Sequence, residues 1–330
     1  MPLQRKRQPD RREQQAVETA VQPPPAPEEA PPGPRVTAII VAYNEADSLR
    51  RCLDALQRSK DRELLQILVM DNGSYDETRA IDDDYPDVTV LRLPKNFGRT
   101  RAMNILTRTA KADLLFFLSP RIEVRPETVF TLADLLEANE QAAAASPWIV
   151  DESGAQVSAW FRLPDAAAFS RVSRTAAGLM PQTVDASAEM QAVEYATLDA
   201  LMITKYFVRG LNYFDDCYGE YWADAELSWQ IRRAGRTIVV APRIGVMQFA
   251  EAPTPRSSAA RAALAVDRGS GAAAFIGKRS GFLAGLLFRV RLALGALGTA
   301  LVFREPGYNL SRFMGILSGS KIDGNQSAIL

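Results

Sequence analysis

Four times between residues 36 and 139 the sequence passes from a short apolar run into a stretch of helical spacing. VTAIIVAY (36–43) is β-branched and preceded by prolines, as expected of a strand buried on both faces. SLRRCLDALQR follows, with Leu49, Cys52, Leu53 and Leu56 on one stripe. LLQILVMD (64–71) reads as a second strand, and DNGS turns the chain into a polar helix through Arg79 and Asp82. VTVLRL (88–93) is the third strand, and residues 95–110 are a loop containing Gly98 that leads into a helix. DLLFFLS (113–119) is the fourth strand, and a helix lies within 126–139. This alternation predicts an α/β domain with a doubly wound, mostly parallel sheet, right-handed crossovers and helices on both faces. Ligands of such sheets bind beyond the carboxyl ends of the strands. That rule singles out the loops at 43–47, 71–75, 95–99 and 119–123.

Several chemistries are excluded. No GxGxxG follows the first strand and no GxxxxGK[ST] occurs, which argues against a dinucleotide-binding domain and a P-loop ATPase. The chain contains no histidine, so Ser-His-Asp and Cys-His triads and imidazole metal ligands are ruled out. Proton transfer is left to carboxylate, lysine, tyrosine or water. Cys52 and Cys217 cannot make a disulfide framework or a cysteine zinc site; both read as small buried or half-buried apolar side chains. The 39 basic residues balance 39 acidic ones, which gives no electrostatic case for nucleic acid.

Three regions are expected. Residues 1–34 are charged and then proline-rich, a disordered tail whose cluster Arg5, Lys6, Arg7, Arg11 and Arg12 is either solvated or set against acidic lipid headgroups. No apolar core follows that cluster, as a secretory signal would need. Residues 35–255 form the main domain. Its second half shows short strands over 146–165 with a hairpin turn at 151–154, then a strand and short helix within 193–211. A helix over 225–234 faces Leu227 and Ile231 inward and ends at Gly235, before a strand at 237–242. Residues 256–330 form a C-terminal helical segment. The stretch 281–303 is long enough to span a bilayer. However, Arg289 and Arg291 near its middle would each cost about 2.5–3.5 kcal/mol there. Leu283, Leu287, Val290, Leu294, Leu297 and Leu301 make one stripe, flanked by Lys278, Arg279 and Arg304. A helix in the membrane interface, or packed on the main domain, is therefore preferred to a spanning one. A plain core helix is the alternative.

VAYNEADSLRRCLDAL, ILVMDNGSYDET, LPKNFGRTRAMN, DLLFFLSPRIEVRPETV and EYWADAELSWQIRRAGRTIVVAP occur in this order over about residues 36–250. Together they resemble family 2 glycosyltransferases of the GT-A fold, especially the bacterial rhamnosyltransferase-like branch. The resemblance implies a nucleotide-diphosphate sugar donor and transfer with inversion at the anomeric carbon. It implies that Tyr43, Asn44 and Glu45 meet the nucleotide base and that Asp71 hydrogen-bonds base or ribose, with a mere turn-forming role as the alternative. Asn96, Gly98 and Arg101 would lie against nucleoside and phosphates. The catalytic base would be Asp224, the second acid of a pair whose first position is Ala223, with Glu226 in reserve; Asp224 could also simply cap its helix. Acceptor contacts would fall around Trp160, Phe161, Leu198 and Asp199.

The departures matter as much. Where the resemblance implies an aspartate binding magnesium or manganese, LLFFL is followed by Ser119, Pro120 and Arg121. Where the family often has a histidine, the chain has Met247, Gln248 and Phe249. A divalent metal is thus doubtful, and no metal ligand is assigned. Arg121 could replace the cation and stabilise the leaving group. The site could instead be inactive, leaving a pseudo-glycosyltransferase that acts as a scaffold at the membrane. Glu123 could also supply a shifted ligand. The expected acceptor is a glycan or a lipid-linked molecule, and the expected place is cytoplasmic, at the inner face of the cell membrane. A nucleotidyltransferase is disfavoured, because no glycine-rich phosphate loop with a following lysine succeeds the first strand.

Overall fold

The computed structural model describes residues 33–164, 179–255, 257–302 and 304–325. The tail expected over 1–34 falls, up to residue 32, outside the described residues, as does its basic cluster. The first half follows the expected alternation: β1 (Val36–Ala42), α1 (Ala46–Gln57), β2 (Leu65–Asp71), α2 (Ile81–Asp84), β3 (Thr89–Arg92), α3 (Arg99–Thr109), β4 (Leu114–Leu118), β5 (Ile122–Val124) and α4 (Thr128–Glu137). Ile39, Ile40, Phe116 and Phe117 are buried on the central strands β1 and β4, because helices cover the sheet and leave an apolar run no exposed face.

The second half supplies β6 (Ala142–Asp151), β7 (Trp160–Phe161), β8 (Gln191–Val193), β9 (Tyr195–Ala196), β10 (Ala200–Thr204), α5 (Lys205–Gly210), α6 (Ala223–Arg233) and β11 (Thr237–Gln248). The main sheet runs β3-β2-β1-β4-β10-β6-β11-β5, with β8 also on β11. β1, β2, β3 and β4 are parallel, as are β6 and β11, whereas β10 is antiparallel to both its neighbours. The hairpin turn at 151–154 forms, with the Gly154 N–H donating to the Asp151 carbonyl at 3.0 Å.

Three local expectations change. The polar helix through Asp82 is only a 3₁₀ turn over Glu77–Ala80 and the single turn of α2. Pro86 follows Tyr85 and disfavours helical backbone there. The strand expected from residue 146 begins at Ala142: Ala142–Ala145 belong to the buried strand β6, where burial between β10 and β11 overrides the helical preference of alanine. Cys52 is buried as expected, but Cys217 is exposed, in the loop before α6.

Three further helices follow: α7 (Ser258–Ser280), α8 (Phe282–Leu301) and α9 (Pro306–Ser318). α7 joins the main core through Ala272, Ala273, Phe275 and Ile276. α8 and α9 pack on α7 and on each other. α8 is long and apolar enough to cross a membrane, yet most of it is uncovered, with Phe282, Leu283, Leu287 and Leu294 exposed. Arg289 lies off this stripe with its guanidinium against Gly319, just past the carboxyl end of α9, where the helix dipole favours a cation.

Candidate active site

The carboxyl ends of β1, β2 and β4 open on one cleft of about 560 Å³, walled on the far side by residues from β9 to α6 and by α7. Polar stitches hold the loops together. The Asn44 N–H donates to Ser74 Oγ at 2.9 Å, and the Tyr75 N–H donates to Asn44 Oδ1 at 2.7 Å, tying the first loop to the second. Asn72 Nδ2 donates to Asn96 Oδ1 at 3.0 Å and the Phe97 N–H to Asn72 Oδ1 at 3.1 Å, tying the second to the third. The Ser119 N–H donates to the Asp199 carbonyl at 2.8 Å. Asn44 (φ 54°) and Trp222 (φ 82°), both at the cleft, hold left-handed backbone that a tryptophan rarely adopts; such strain gathers where a site requires it.

Arg121 faces the cleft, and its Nη1 donates to Glu45 Oε1 at 2.5 Å. Arg99 occupies the middle. Its Nη2 donates to the Leu198 carbonyl at 2.8 Å, its Nη1 lies 3.4 Å from Asp199 Oδ1, and its backbone N–H donates to Glu220 Oε2 at 3.1 Å. Asp224, in the first turn of α6, also faces the cleft. Burial pushes its carboxyl above the ordinary value, while the Arg99 guanidinium and a hydrogen bond from the Tyr195 hydroxyl pull it back. Burial likewise raises Glu220, again opposed by Arg99. A raised, half-buried carboxylate beside a cation at an open cleft suits a general base.

Tyr43, Asn44, Glu45, Asn96, Arg121 and Asp224 come together in this cleft. Four expected residues do not line it. Asp71 is buried at the end of β2 and accepts the Ser74 N–H at 2.8 Å, the turn-forming geometry. Gly98 (φ +84°) begins α3 at a close approach, where a Cβ would lie 2.8 Å from the Ile322 carbonyl oxygen. Arg101 lies on the surface with its guanidinium over the Phe97 ring. Glu226 points elsewhere, accepting from Tyr218 Oη at 3.0 Å and Gln230 Nε2 at 2.9 Å. Of the acceptor candidates, Asp199 lines the cleft, while Trp160 is buried and donates from Nε1 to Ser146 Oγ at 3.0 Å. Asp224 is not the N-cap, since α6 starts at Ala223 with Trp222 in that position, although Asp224 Oδ1 does accept the first-turn Ala225 N–H at 2.9 Å.

Arg99, Tyr195, Glu220 and Arg268 are the residues that sequence reading missed. Arg99 sat between two named positions, at a helix start where a charged residue faces the strand ends. Nothing local marked Arg268, which α7 brings in from far along the chain.

The donor set does not suit a divalent metal. The acids facing the cleft are Glu45, Asp199, Glu220 and Asp224. They are bonded respectively to Arg121, Arg99, the Arg99 N–H and Tyr195. Among the described residues no three metal-ligating side chains converge on a common point. Glu123, the candidate for a shifted ligand, lies outside the cleft and pairs with Arg51 at 2.8 Å and Arg58 at 3.4 Å.

Comparison with known proteins agrees with this architecture. Residues 37–181 match the model of the family described as glycosyl transferase family 2. An N-acetylglucosaminyltransferase of Mesorhizobium japonicum is 31% identical over 121 residues, covering 35% of this chain and 28% of that protein. Glycosyltransferase AglE of Haloferax volcanii is 31% identical over 90 residues, covering 26% of this chain and 30% of that protein. The chain thus spans less than a third of the length of either relative. The solved structure of GalNAc-T7 with UDP, GalNAc and Mn2+ is similar in fold, with a TM-score of 0.52 at 18% identity over 66% of this chain and 43% of that one. Residues 37–181, which include the strand-end loops that build one side of the cleft, are thus similar to glycosyl transferase family 2, and the fold is of the GT-A type.

Proposed function

We propose that this chain is an inverting glycosyltransferase, taking a hexose or deoxyhexose from a nucleotide-diphosphate sugar onto a hydroxyl of a glycan or lipid-linked acceptor. The observation that carries this reading is the placement of Asp224, a half-buried carboxylate, across the cleft formed by the family 2 loops that also present Arg121. Asp224 takes the proton of the acceptor hydroxyl as that oxygen attacks the anomeric carbon. The bond from that carbon to the nucleotide diphosphate breaks, and its electron pair leaves with the diphosphate. Arg121 meets the developing charge through its forked guanidinium, the part a metal would otherwise take. The rhamnosyltransferase-like resemblance supports a deoxyhexose, and the N-acetylglucosaminyltransferase relative supports testing a UDP-linked hexosamine as well.

The acceptor is met at the inner face of the cell membrane. The exposed apolar side chains of α8 and α9, with Arg279 and Arg304 beside them, support an interfacial placement. The mutual neutralisation of Arg121 and Glu45 favours one rival, a pseudo-glycosyltransferase that binds nucleotide without turning it over.

The test is calorimetry over a panel of UDP-, GDP- and dTDP-sugars, with EDTA or with Mn2+, on wild type and Arg121→Ala, followed by assay of nucleoside diphosphate release. Metal-insensitive binding lost in Arg121→Ala, with release of nucleoside diphosphate, is the expected result. Binding without release would favour the pseudoenzyme, and binding that requires Mn2+ would overturn the role of Arg121. No binding to any donor would overturn the transferase reading itself.

A further inference from the structure

Asp267 belongs to α7, well beyond the family 2 match, and is 1% exposed. Its Oδ2 accepts the backbone N–H groups of Glu220 at 2.9 Å and Tyr221 at 3.2 Å, and its Oδ1 accepts that of Ile322 at 2.8 Å. The approach is so close that a Cβ on Gly219 would lie 2.0 Å from Oδ1, so position 219 has no room for a side chain. Burial raises this carboxyl to about 6, against the opposing pull of the three amides. A buried acid that cannot leave its amides without stranding them is a strong constraint on whatever those amides belong to.

They belong to the far wall of the cleft. Glu220, Tyr221 and Trp222 all line it, and Asp224 follows two residues later. The Gly219 carbonyl accepts the Thr100 N–H at 3.0 Å, and Glu220 accepts the Arg99 N–H, so the same segment fixes the start of α3. The Trp222 carbonyl accepts the Glu226 N–H at 3.0 Å, and Trp222 Nε1 donates to the Arg268 carbonyl at 2.8 Å, so it also fixes the start of α6. Ile322 is itself buried, with its carbonyl oxygen close against Gly98. The end of the described chain is thus threaded between Asp267 and the loop that opens α3.

We propose that Asp267 is a positioning residue: its carboxylate pins residues 219–222 and the segment around Ile322 together, and so sets the aim of Glu220 and Asp224 into the cleft. This assignment rests on the transferase reading for the meaning of that aim, but the pin itself is tested without turnover. In Asp267→Asn the amide keeps one acceptor oxygen and sets an N–H₂ against a backbone N–H.

Amide hydrogen exchange on the full chain, wild type and Asp267→Asn, is the test, with UDP affinity and turnover of UDP-N-acetylglucosamine as further readouts. The expected result is a cooperatively folded variant whose exchange rises about tenfold or more at residues 219–222 and at 322 together. Turnover falls by about tenfold or more while UDP affinity changes by less than about threefold, because the Arg121 side of the cleft is not held by Asp267. Unchanged exchange at 219–222, or increased exchange with turnover intact, would overturn the proposal. If Asp267→Asn does not fold, a chain ending at Gly319 keeps Asp267 and removes the Ile322 amide. Faster exchange at 219–222 then supports the coupling, and unchanged exchange overturns it. A wild type that turns over no donor would sink the transferase reading, with the exchange comparison still deciding the pin.

Discussion

Arg121 Nη1 lies 2.5 Å from Glu45 Oε1, across the adjacent parallel strands β4 and β1, with side chains only 19% and 9% exposed. A shielded ion pair is far more costly to break on one side than to remove whole, because the surviving charge is left desolvated. Arg121→Ala is therefore expected to destabilise the protein by about 2–4 kcal/mol. The double variant Glu45→Gln/Arg121→Ala should recover most of that loss. Glu45→Gln alone frees the guanidinium and should tighten nucleotide-diphosphate binding. Denaturant melts and calorimetry on the four proteins separate the effects, and a double variant that regains affinity along with stability would remove Arg121 from the donor site.

Tyr195 and Asp224 make a second prediction. A general base must be ionised to act, so the rate rises with pH through the pKa of Asp224. Burial raises that pKa, which puts the acidic limb of kcat/KM above the ordinary carboxylate range. The Tyr195 hydroxyl stabilises the ionised form, so Tyr195→Phe should move the limb to still higher pH with little effect on the alkaline plateau. A limb that stays in place would show that Asp224 is not the titrating group. Glu226→Gln, by contrast, should leave the limb where it is, since Glu226 faces Tyr218 and Gln230 rather than the cleft.

How much of this was legible depends on the range of the interactions. The four β-α units could be read because their apolar periodicity is local, and the rule that places ligands at strand ends then located Tyr43, Asn44, Glu45, Asn96 and Arg121. Asp224 came from the resemblance alone. Asp71 and Gly98 were assigned to ligand contact, yet their surroundings are a turn amide and the Ile322 carbonyl, neighbours that depend on three-dimensional packing. The start of β6 at Ala142–Ala145, ahead of the strands expected from residue 146, was hidden by the helical propensity of alanine. Arg268 and Asp267 were invisible because α7 reaches the cleft only through tertiary packing, and in sequence they are an ordinary acidic-basic pair on a helix.

The apolar face of α8 predicts membrane partition that does not require spanning. Leu287 is 61% and Leu294 58% exposed, on the stripe facing away from α7. Burying a leucine side chain contributes about 1.5–3 kcal/mol. Leu287→Glu/Leu294→Glu should thus reduce binding to vesicles of mixed neutral and anionic lipid by at least about tenfold, without changing the melting temperature. Wild type should also bind neutral vesicles more weakly than anionic ones, because Arg279 and Arg304 flank the stripe. Co-flotation of wild type and variant to the same extent would count against this face as the contact.

Arg99 is the cation on which Asp199, Glu220 and Asp224 depend, and its loss should be read in stability against pH. It is 3.4 Å from Asp199, and its charge opposes the raised pKa values of Glu220 and Asp224. Without it both carboxyls rise further in the folded state while their unfolded values stay put. An acid whose folded pKa exceeds its unfolded one binds more protons when folded, so stability falls as pH rises between the two values. Arg99→Ala should therefore resemble wild type most closely near pH 4, and the gap should widen toward pH 7. There it should reach about 2 kcal/mol, less than for a fully buried pair because Arg99 and Asp199 remain 25% and 30% exposed. Thermal melts of both proteins across this range measure the gap. A deficit independent of pH would mean that Arg99 acts through packing and its bond to the Leu198 carbonyl rather than through its charge.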